Sequence, residues 1–322
     1  MASITVTKMK HRFITLNDLC KNFDCTLEQF SQRFVDFYNS VDFTYSHLSS
    51  EERDAIILEI LNKLYTDQQV IGAPERTDVW HKGWKENLDG FLENKSIDEI
   101  VPKFIRPNKI VRYNGDFIKP TNGFFERDFA KLIQIFCYDN FIKETDVDSV
   151  YEFGCGSSFN LMSLIDLNNN HKNVNFYGSD FVQSSVDLCN ALGAHYDVNL
   201  SGFRFNMIEP DTSLVLDNNS AVFTFGAIEQ LRSKFHNFID LIVASKPTIC
   251  FHIEPTVENY NPESLFDHLQ IRFHQKRGYT EGLLPYLREL EHSGKVEIVK
   301  DKSLNFGSLF MEGYHLYAWK PV

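Results

Sequence analysis

At 322 residues the chain is long enough for one large domain or two modest ones, each with a substantial core. A content of 43% hydrophobic and 14% aromatic residues excludes a disordered polypeptide. The net charge of -12 argues against a nucleic-acid partner, because neutralising phosphates takes a basic surface; ordinary solubility is the simpler meaning of the acidity.

The opening "MASITVTKMKHRF" has no apolar core of a secretory signal, and no run in the chain is apolar for long enough to cross a bilayer. A cytoplasmic protein without a membrane partner is expected. From Thr15 to about Gln69 the periodicity predicts helix. In "SSEERDAIILEILNKLY" Ser49 and Glu52 form a capping box, followed by Ile56, Ile57, Ile60, Leu61 and Leu64 on one face. "DVWHKGWKENLDGFLE" repeats the helical period with Trp80, Trp84, Leu88 and Phe91. "KIVRYNGDFIKP" predicts a short hairpin turning on Asn114 and Gly115, and "FFERDFAKLIQIFCYDNFI" returns to helix. Residues 1–145 are therefore expected to form a mainly helical N-terminal region.

Residues 146–322 alternate strand-like and helical runs, which implies an α/β domain with a mostly parallel, doubly wound sheet covered on both faces. The last two strand-like runs, "KVEIVKDKSLN" and "HLYAWKPV", have no clear helix between them, so the sheet is expected to end in an antiparallel pair. Cys20, Cys25, Cys137, Cys155, Cys189 and Cys250 form no CxxC pair. They read as small buried hydrophobes in a reducing compartment, and no metal site is expected of them.

The stretch "VYEFGCGSSFN", Val150–Asn160, ends a strand-like run on an acid, turns on two glycines and opens a helix. In open α/β sheets ligands sit at the carboxyl ends of the strands, against the first helix N-terminus. Gly154 and Gly156 permit a sharp turn and a close ligand approach. A dinucleotide-binding turn requires a third glycine three residues after the second, and Phe159 stands there. Glu152 at the strand end would repel a pyrophosphate and suits a cationic group. Asp180 ends the next strand, where an acid takes ribose hydroxyls. Plainer roles exist for both: Glu152 can favour a helix dipole, and Asp180 can cap the helix that starts near Gln183. A ribose, a positive group and no diphosphate describe S-adenosylmethionine.

"EFGCG" followed by "GSDF" resembles the class I S-adenosylmethionine-dependent methyltransferases, over about Asp146 to Val322. The resemblance implies a Rossmann-like sheet of seven strands and an enzyme with S-adenosylmethionine as cofactor. It implies that Glu152, Gly154 and Gly156 border the methionine half, Asp180 the ribose, and Phe181 the adenine. Asn206 would lie beside the adenine amino group, where an acid is commoner in that family, and Met207 would be an apolar wall that is otherwise plain core. The loop beginning at Phe225 would approach the methyl-bearing centre. The N-terminal region would cover the cofactor, with "VWHKGW" and "VRYNGDF" as lining or simply as core.

Methyl transfer to a hydroxyl benefits from a base. In "CFHIEPT" His252 and Glu254 lie two apart on a strand and share a face, and Glu229 in "GAIEQL" is expected on the same rim. The three could supply a base and its orienting partner, or His252 could be a hydrogen-bonded histidine in a polar wall. A metal site lacks tight ligand spacing. Arg272, His274, Lys276 and Arg277 form a basic cluster suited to an anionic acceptor group, or an ordinary helix end before Gly278. Methyltransferases acting on DNA bases resemble one another in an Asn/Asp-Pro-Pro-aromatic loop, where this chain has Phe225-Gly226-Ala227-Ile228. The expectation is a small-molecule methyltransferase acting at a hydroxyl, as on a sugar. A protein or peptide methyltransferase and a non-catalytic scaffold are the alternatives, and the oligomeric state is left open.

Overall fold

Two sheets organise the chain. The computed structural model describes residues 11–102, 105, 107, 110–143, 145–168 and 173–322. In the N-terminal part, Ser49 and Glu52 close the expected capping box: Ser49 Oγ accepts from Glu52 N at 3.2 Å and Glu52 Oε2 from Ser49 N at 3.0 Å. The helix that follows, Ser50–Thr66, buries Ile60 completely against Phe117, Phe266 and Leu269. A long helix, α1, spans Pro74–Asn94. Asn114 (φ 47°) and Gly115 (φ 78°) turn the predicted hairpin between Val111–Tyr113 and Asp116–Pro120, both in the left-handed region that a two-residue turn needs.

The helical reading of Thr15–Gln69 is interrupted. Thr44–His47 is a strand that pairs antiparallel with Arg12–Phe13 on one side and with Asp116–Pro120 on the other. Its partners are remote in sequence, and tertiary pairing overrides the local helical period. A fifth strand, Phe306–Gly307, pairs with Val111–Tyr113 from near the other end of the chain. The N-terminal part thus mixes helices with a small antiparallel sheet.

The second sheet has seven strands: β1 (Ser149–Phe153), β2 (Asn175–Asp180), β3 (Leu200–Arg204), β4 (Ser220–Phe225), β5 (Ile249–Glu254), β6 (Val296–Ser303) and β7 (His315–Pro321). Their spatial order is β3-β2-β1-β4-β5-β7-β6. The first five strands are mutually parallel, while β7 runs antiparallel to β5 and β6 antiparallel to β7. This is the doubly wound sheet with an antiparallel closing pair that the sequence predicts. The order reverses between β1 and β4, so a crevice opens at the carboxyl ends of those strands. Every residue of β1 is buried, as a strand covered on both faces requires.

The helices α2 (Phe125–Cys137), α3 (Phe159–Asn168), α4 (Gln183–Tyr196) and α5 (Leu265–Arg277) pack around this frame. One apolar cluster runs from Phe23, Phe34 and Phe129 of the N-terminal part through Val150 of β1 and Phe251 of β5 to Phe306 and Leu316. Phe129 and Phe306 stack with centroids 4.0 Å apart, and Phe306 also stacks on Tyr314 at 5.7 Å. The other sheet face carries Phe153, Phe205, Phe238 and Trp319. No helix among the described residues is long and apolar enough to cross a membrane.

Because Phe306 is fully buried and joins the small sheet to the shared core, Phe306→Ala is expected to cost about 3–5 kcal/mol. Denaturant unfolding measures it, and a loss under about 1 kcal/mol would show that the ring is not such a joint.

Candidate active site at the carboxyl ends of the parallel strands

β1 ends in a turn that only glycine can make at two positions. Gly154 and Gly156 have φ of 77° and 52°. A Cβ on Gly154 would stand 2.4 Å from the Ala227 Cβ, and one on Gly156 2.7 Å from the Trp84 ring. The amides of Gly154 and Cys155 both donate to the Ser179 carbonyl, at 2.8 and 2.9 Å, which fastens the turn to the end of β2.

Two carboxylates flank the turn, as the sequence predicts. Glu152 is buried; its Oε1 accepts from Asn160 Nδ2 at 2.8 Å, while Oε2 has no protein partner. Burial pushes its carboxyl well above the usual range, and the Asn160 amide opposes this. Asp180 Oδ2 accepts from Gly156 N at 3.0 Å and Oδ1 from Val182 N at 2.9 Å. Burial raises its pKa too, against those amides. Asp180 therefore ties the β1 and β2 corners together; it does not cap the helix from Gln183, whose N-cap is Val182 with no side-chain cap bond.

The remaining expected cofactor residues are spread more widely. Met207 lies beside the glycine turn, its Cε 3.4 Å from where a Gly154 Cβ would stand. Phe181 is 41% exposed, with its ring edge-on to His81 at 5.8 Å. Asn206 is exposed and its Oδ1 accepts from Ile208 N at 3.0 Å. Phe225 packs edge-on to Tyr314 at 5.6 Å and, with Ile133 and Asn160, lines a small cavity towards α2 and α3.

Helix α1 lies across the crevice. Its Trp84 ring rests on Gly156, its His81 meets Phe181 after β2, and its Arg76 donates to Gln230 Oε1 after β4, from Nε at 3.1 Å and Nη2 at 2.9 Å. Trp80 stacks on Trp84 at 5.5 Å, and the Arg76 guanidinium sits 4.6 Å from the Trp80 centroid. The tryptophan spacing marked a helical face in the sequence; that the face lands on the glycine turn was not readable there.

The expected base and its partner require correction. His252 and Glu254 do share a face, but both are fully buried and held by protein groups. Glu254 Oε1 accepts from Thr224 Oγ1 (2.7 Å), Ala227 N (2.9 Å) and Ile228 N (3.0 Å), and Oε2 from Glu229 N (3.0 Å). Both oxygens of this carboxylate are engaged by protein donors, three on Oε1 and one on Oε2, and they shape the loop after β4. The Thr224 hydroxyl gives its one proton to Glu254, so His252 Nδ1–H donates to Thr224 Oγ1, at 3.0 Å. The His252 ring packs 6.0 Å from that of Trp319, and burial pushes its pKa down to about 3. It is a neutral core histidine.

Glu229 is the one of the three with some exposure. It is half-buried; desolvation and the charge of Glu254 push its carboxyl up to about 8, against Arg76 and Arg277. The basic cluster disperses: Arg277 pairs with buried Asp67, His274 is buried beside the Thr280 carbonyl at 2.9 Å, and Arg272 is exposed. Gly278 (φ 67°) ends the helix as its sequence position suggests. Among the described residues no group of three or more His, Cys, Asp or Glu side chains could hold a metal ion.

No protein-family profile matches the chain, and no curated protein does. Among solved structures, the (4+2)-cyclase SpnF aligns with a TM-score of 0.49 and 12% identity over 76% of this chain and 96% of its own. An O-methyltransferase from a polyketide synthase multienzyme of Brevibacillus brevis aligns at 0.44 and 12%, over 62% and 74%. The magnesium protoporphyrin IX methyltransferase of Synechocystis aligns at 0.39 and 10%, over 82% and 94%. Likenesses so remote carry no inference to this chain's chemistry.

His252, held near 3, and His274, held near 4, both refuse a proton that an unfolded histidine takes up near 6.5. Between those values the unfolded chain binds more protons, so stability falls as pH falls below about 6.5. His252→Asn is expected to recover about 2 kcal/mol of the loss between pH 7 and pH 5 in denaturant titrations. An unchanged pH slope would mean that His252 is protonated in the folded state.

Proposed function

We propose that this chain is an S-adenosylmethionine-dependent methyltransferase acting on a small-molecule hydroxyl. One observation carries the reading: Glu152 keeps a buried oxygen without a protein partner beside a turn of two left-handed glycines, at the switch point of the sheet. A buried unsatisfied carboxylate oxygen costs about 1–3 kcal/mol or more, which a cationic ligand group would offset. The cofactor's ammonium has that chemistry, whereas two carboxylates at the strand ends would repel a diphosphate. Asp180 lies at the next corner, where it would meet ribose hydroxyls.

When bound, S-adenosylmethionine supplies an electrophilic methyl group. The chain's own part is to bind, align and exclude water, with displacement from the face opposite the sulfur. Glu229 accepts the proton that the acceptor hydroxyl loses as its oxygen gains the methyl group. Helix α1 closes the crevice from above, which supports a small acceptor over a peptide laid in an open groove. Trp84, resting on Gly156, has to shift for the ligand to reach the turn. That same contact is what favours the second reading, a scaffold whose niche has been filled by its own tryptophan.

Calorimetry with S-adenosylmethionine separates the two. Binding by the intact protein is expected, with Asp180→Ala weakening it by more than ~1 kcal/mol. Glu152, its pKa raised by burial, is expected to release a proton as the ammonium docks, giving a binding heat that depends on the buffer. No binding by either the intact protein or Trp84→Ala would establish the scaffold.

With an acceptor identified, turnover is expected to rise with pH through about 8 as Glu229 ionises. Glu229→Gln should lower the rate by roughly 10²–10⁴-fold and erase that limb. A pH–rate profile unaltered by the substitution would remove Glu229 from the chemistry.

A further inference from the structure

Behind the glycine turn, four hydrogen bonds join the outer side of α2 to Glu152. Lys131 Nζ donates to Ser163 Oγ at 2.7 Å, Ser163 Oγ to Gln134 Oε1 at 2.6 Å, Gln134 Nε2 to Asn160 Oδ1 at 2.7 Å, and Asn160 Nδ2 to Glu152 Oε1 at 2.8 Å. Lys131 and Gln134 belong to α2, Asn160 and Ser163 to α3. The direction of every proton follows from the two ends. An ammonium has donors only, so Ser163 must accept from it and pass its single proton on. Gln134 then turns its oxygen to Ser163 and its amide nitrogen to Asn160, and Asn160 in turn presents its nitrogen to Glu152. Glu152 Oε1 accepts at the far end, which completes the same polarity. Hydrogen bonds aligned in one direction polarise each other.

We propose that Lys131, Ser163, Gln134 and Asn160 form a positioning relay that fixes Glu152 Oε1 and favours its ionised state, leaving Oε2 for the ligand's ammonium. The proposal rests on the methyltransferase reading of the Glu152 site. The charged and titratable groups facing Glu152 are Asp180 from β2, Cys155 in the turn and Cys189 from α4. The carboxylate of Asp180 and the buried position both disfavour a second negative charge. The relay acts against them, and its cationic end is held by Asp166, 3.6 Å from Lys131 Nζ.

The sign follows. Breaking the relay raises the Glu152 pKa in the ligand-free protein, so ammonium binding is lost at a higher pH as the solution is acidified. Gln134→Met cuts the chain in the middle while keeping side-chain length and the charge of Lys131. Lys131→Met removes the end that sets the polarity, and Lys131→Arg restores a donor-only cation. The probe is S-adenosylhomocysteine, titrated calorimetrically from pH 5.5 to 8.5, with the infrared carboxyl band of Glu152 followed in the ligand-free protein and assigned with Glu152→Gln.

Gln134→Met and Lys131→Met are each expected to weaken binding about tenfold near neutrality. Both should move the affinity profile and the infrared titration to higher pH, with Lys131→Arg close to the parent. Either substitution reports alone should the other not fold. Loss of affinity in Lys131→Met with none in a folded Gln134→Met would replace the relay by a charge acting through space. Unmoved infrared titration in the folded variants would overturn the relay outright. If the parent binds no S-adenosylhomocysteine at any pH, the methyltransferase reading fails, while the infrared arm still decides whether the relay tunes Glu152.

Discussion

The rest of the site depends on the backbone reversing hand at Gly154 and again at Gly156. Both residues sit in the left-handed region, and the space a side chain would need is taken by Ala227 on one and by Trp84 on the other. The turn brings three chain segments into contact at one point: the loop after β4, helix α1 and the corner after β2. Asp180 secures it by accepting from the Gly156 amide, and the Ser179 carbonyl by accepting two more. Left-handed backbone costs non-glycine residues about 1–2 kcal/mol each. Glycine at both positions makes the turn without that cost and leaves room for the close contacts.

Around this turn the buried carboxylates divide into two kinds. Glu254 has protein donors on both oxygens, four in all, and they shape the loop that carries Glu229. Glu152 is half-satisfied, with one oxygen held by Asn160 and the other without a protein donor. The first pattern is that of a structural anion, and the second leaves one buried oxygen open. Glu229 stands between them in kind, its carboxyl pushed up to about 8 by desolvation and by Glu254 and drawn back by two arginines. Loop shape and basicity are thus coupled, because the residue that holds the loop also supplies the repulsion.

Helix α1 gives the crevice its roof. The column of Arg76, Trp80 and Trp84 stands on the glycine turn and ends at Gln230 beside Glu229, so one helix touches both the glycine turn and the loop after β4. A motion of α1 that uncovers Gly156 would also disturb the Arg76–Gln230 contact and the field at Glu229. The glycine turn and the surroundings of Glu229 are then linked through one rigid element.

The sequence by itself determined the strand–helix alternation, the antiparallel close of the sheet, the Asn114–Gly115 hairpin, the Ser49 cap and the position of the glycine turn between two acids. These are legible because they follow from neighbours within a few residues: period, cap spacing and turn chemistry. What only the tertiary structure decided is where side chains meet across the chain. Thr44–His47 is a strand because Asp116–Pro120 offers it an edge; His252 and Glu254 point inward because Thr224 and the loop amides claim them. Trp84 became the lid of Gly156, and Asn160, Gln134 and Lys131 a line to Glu152, through packing of α1, α2 and α3. Such contacts leave no periodic trace, since a side chain's partner depends on how helices pack on the sheet and not on its place in the chain.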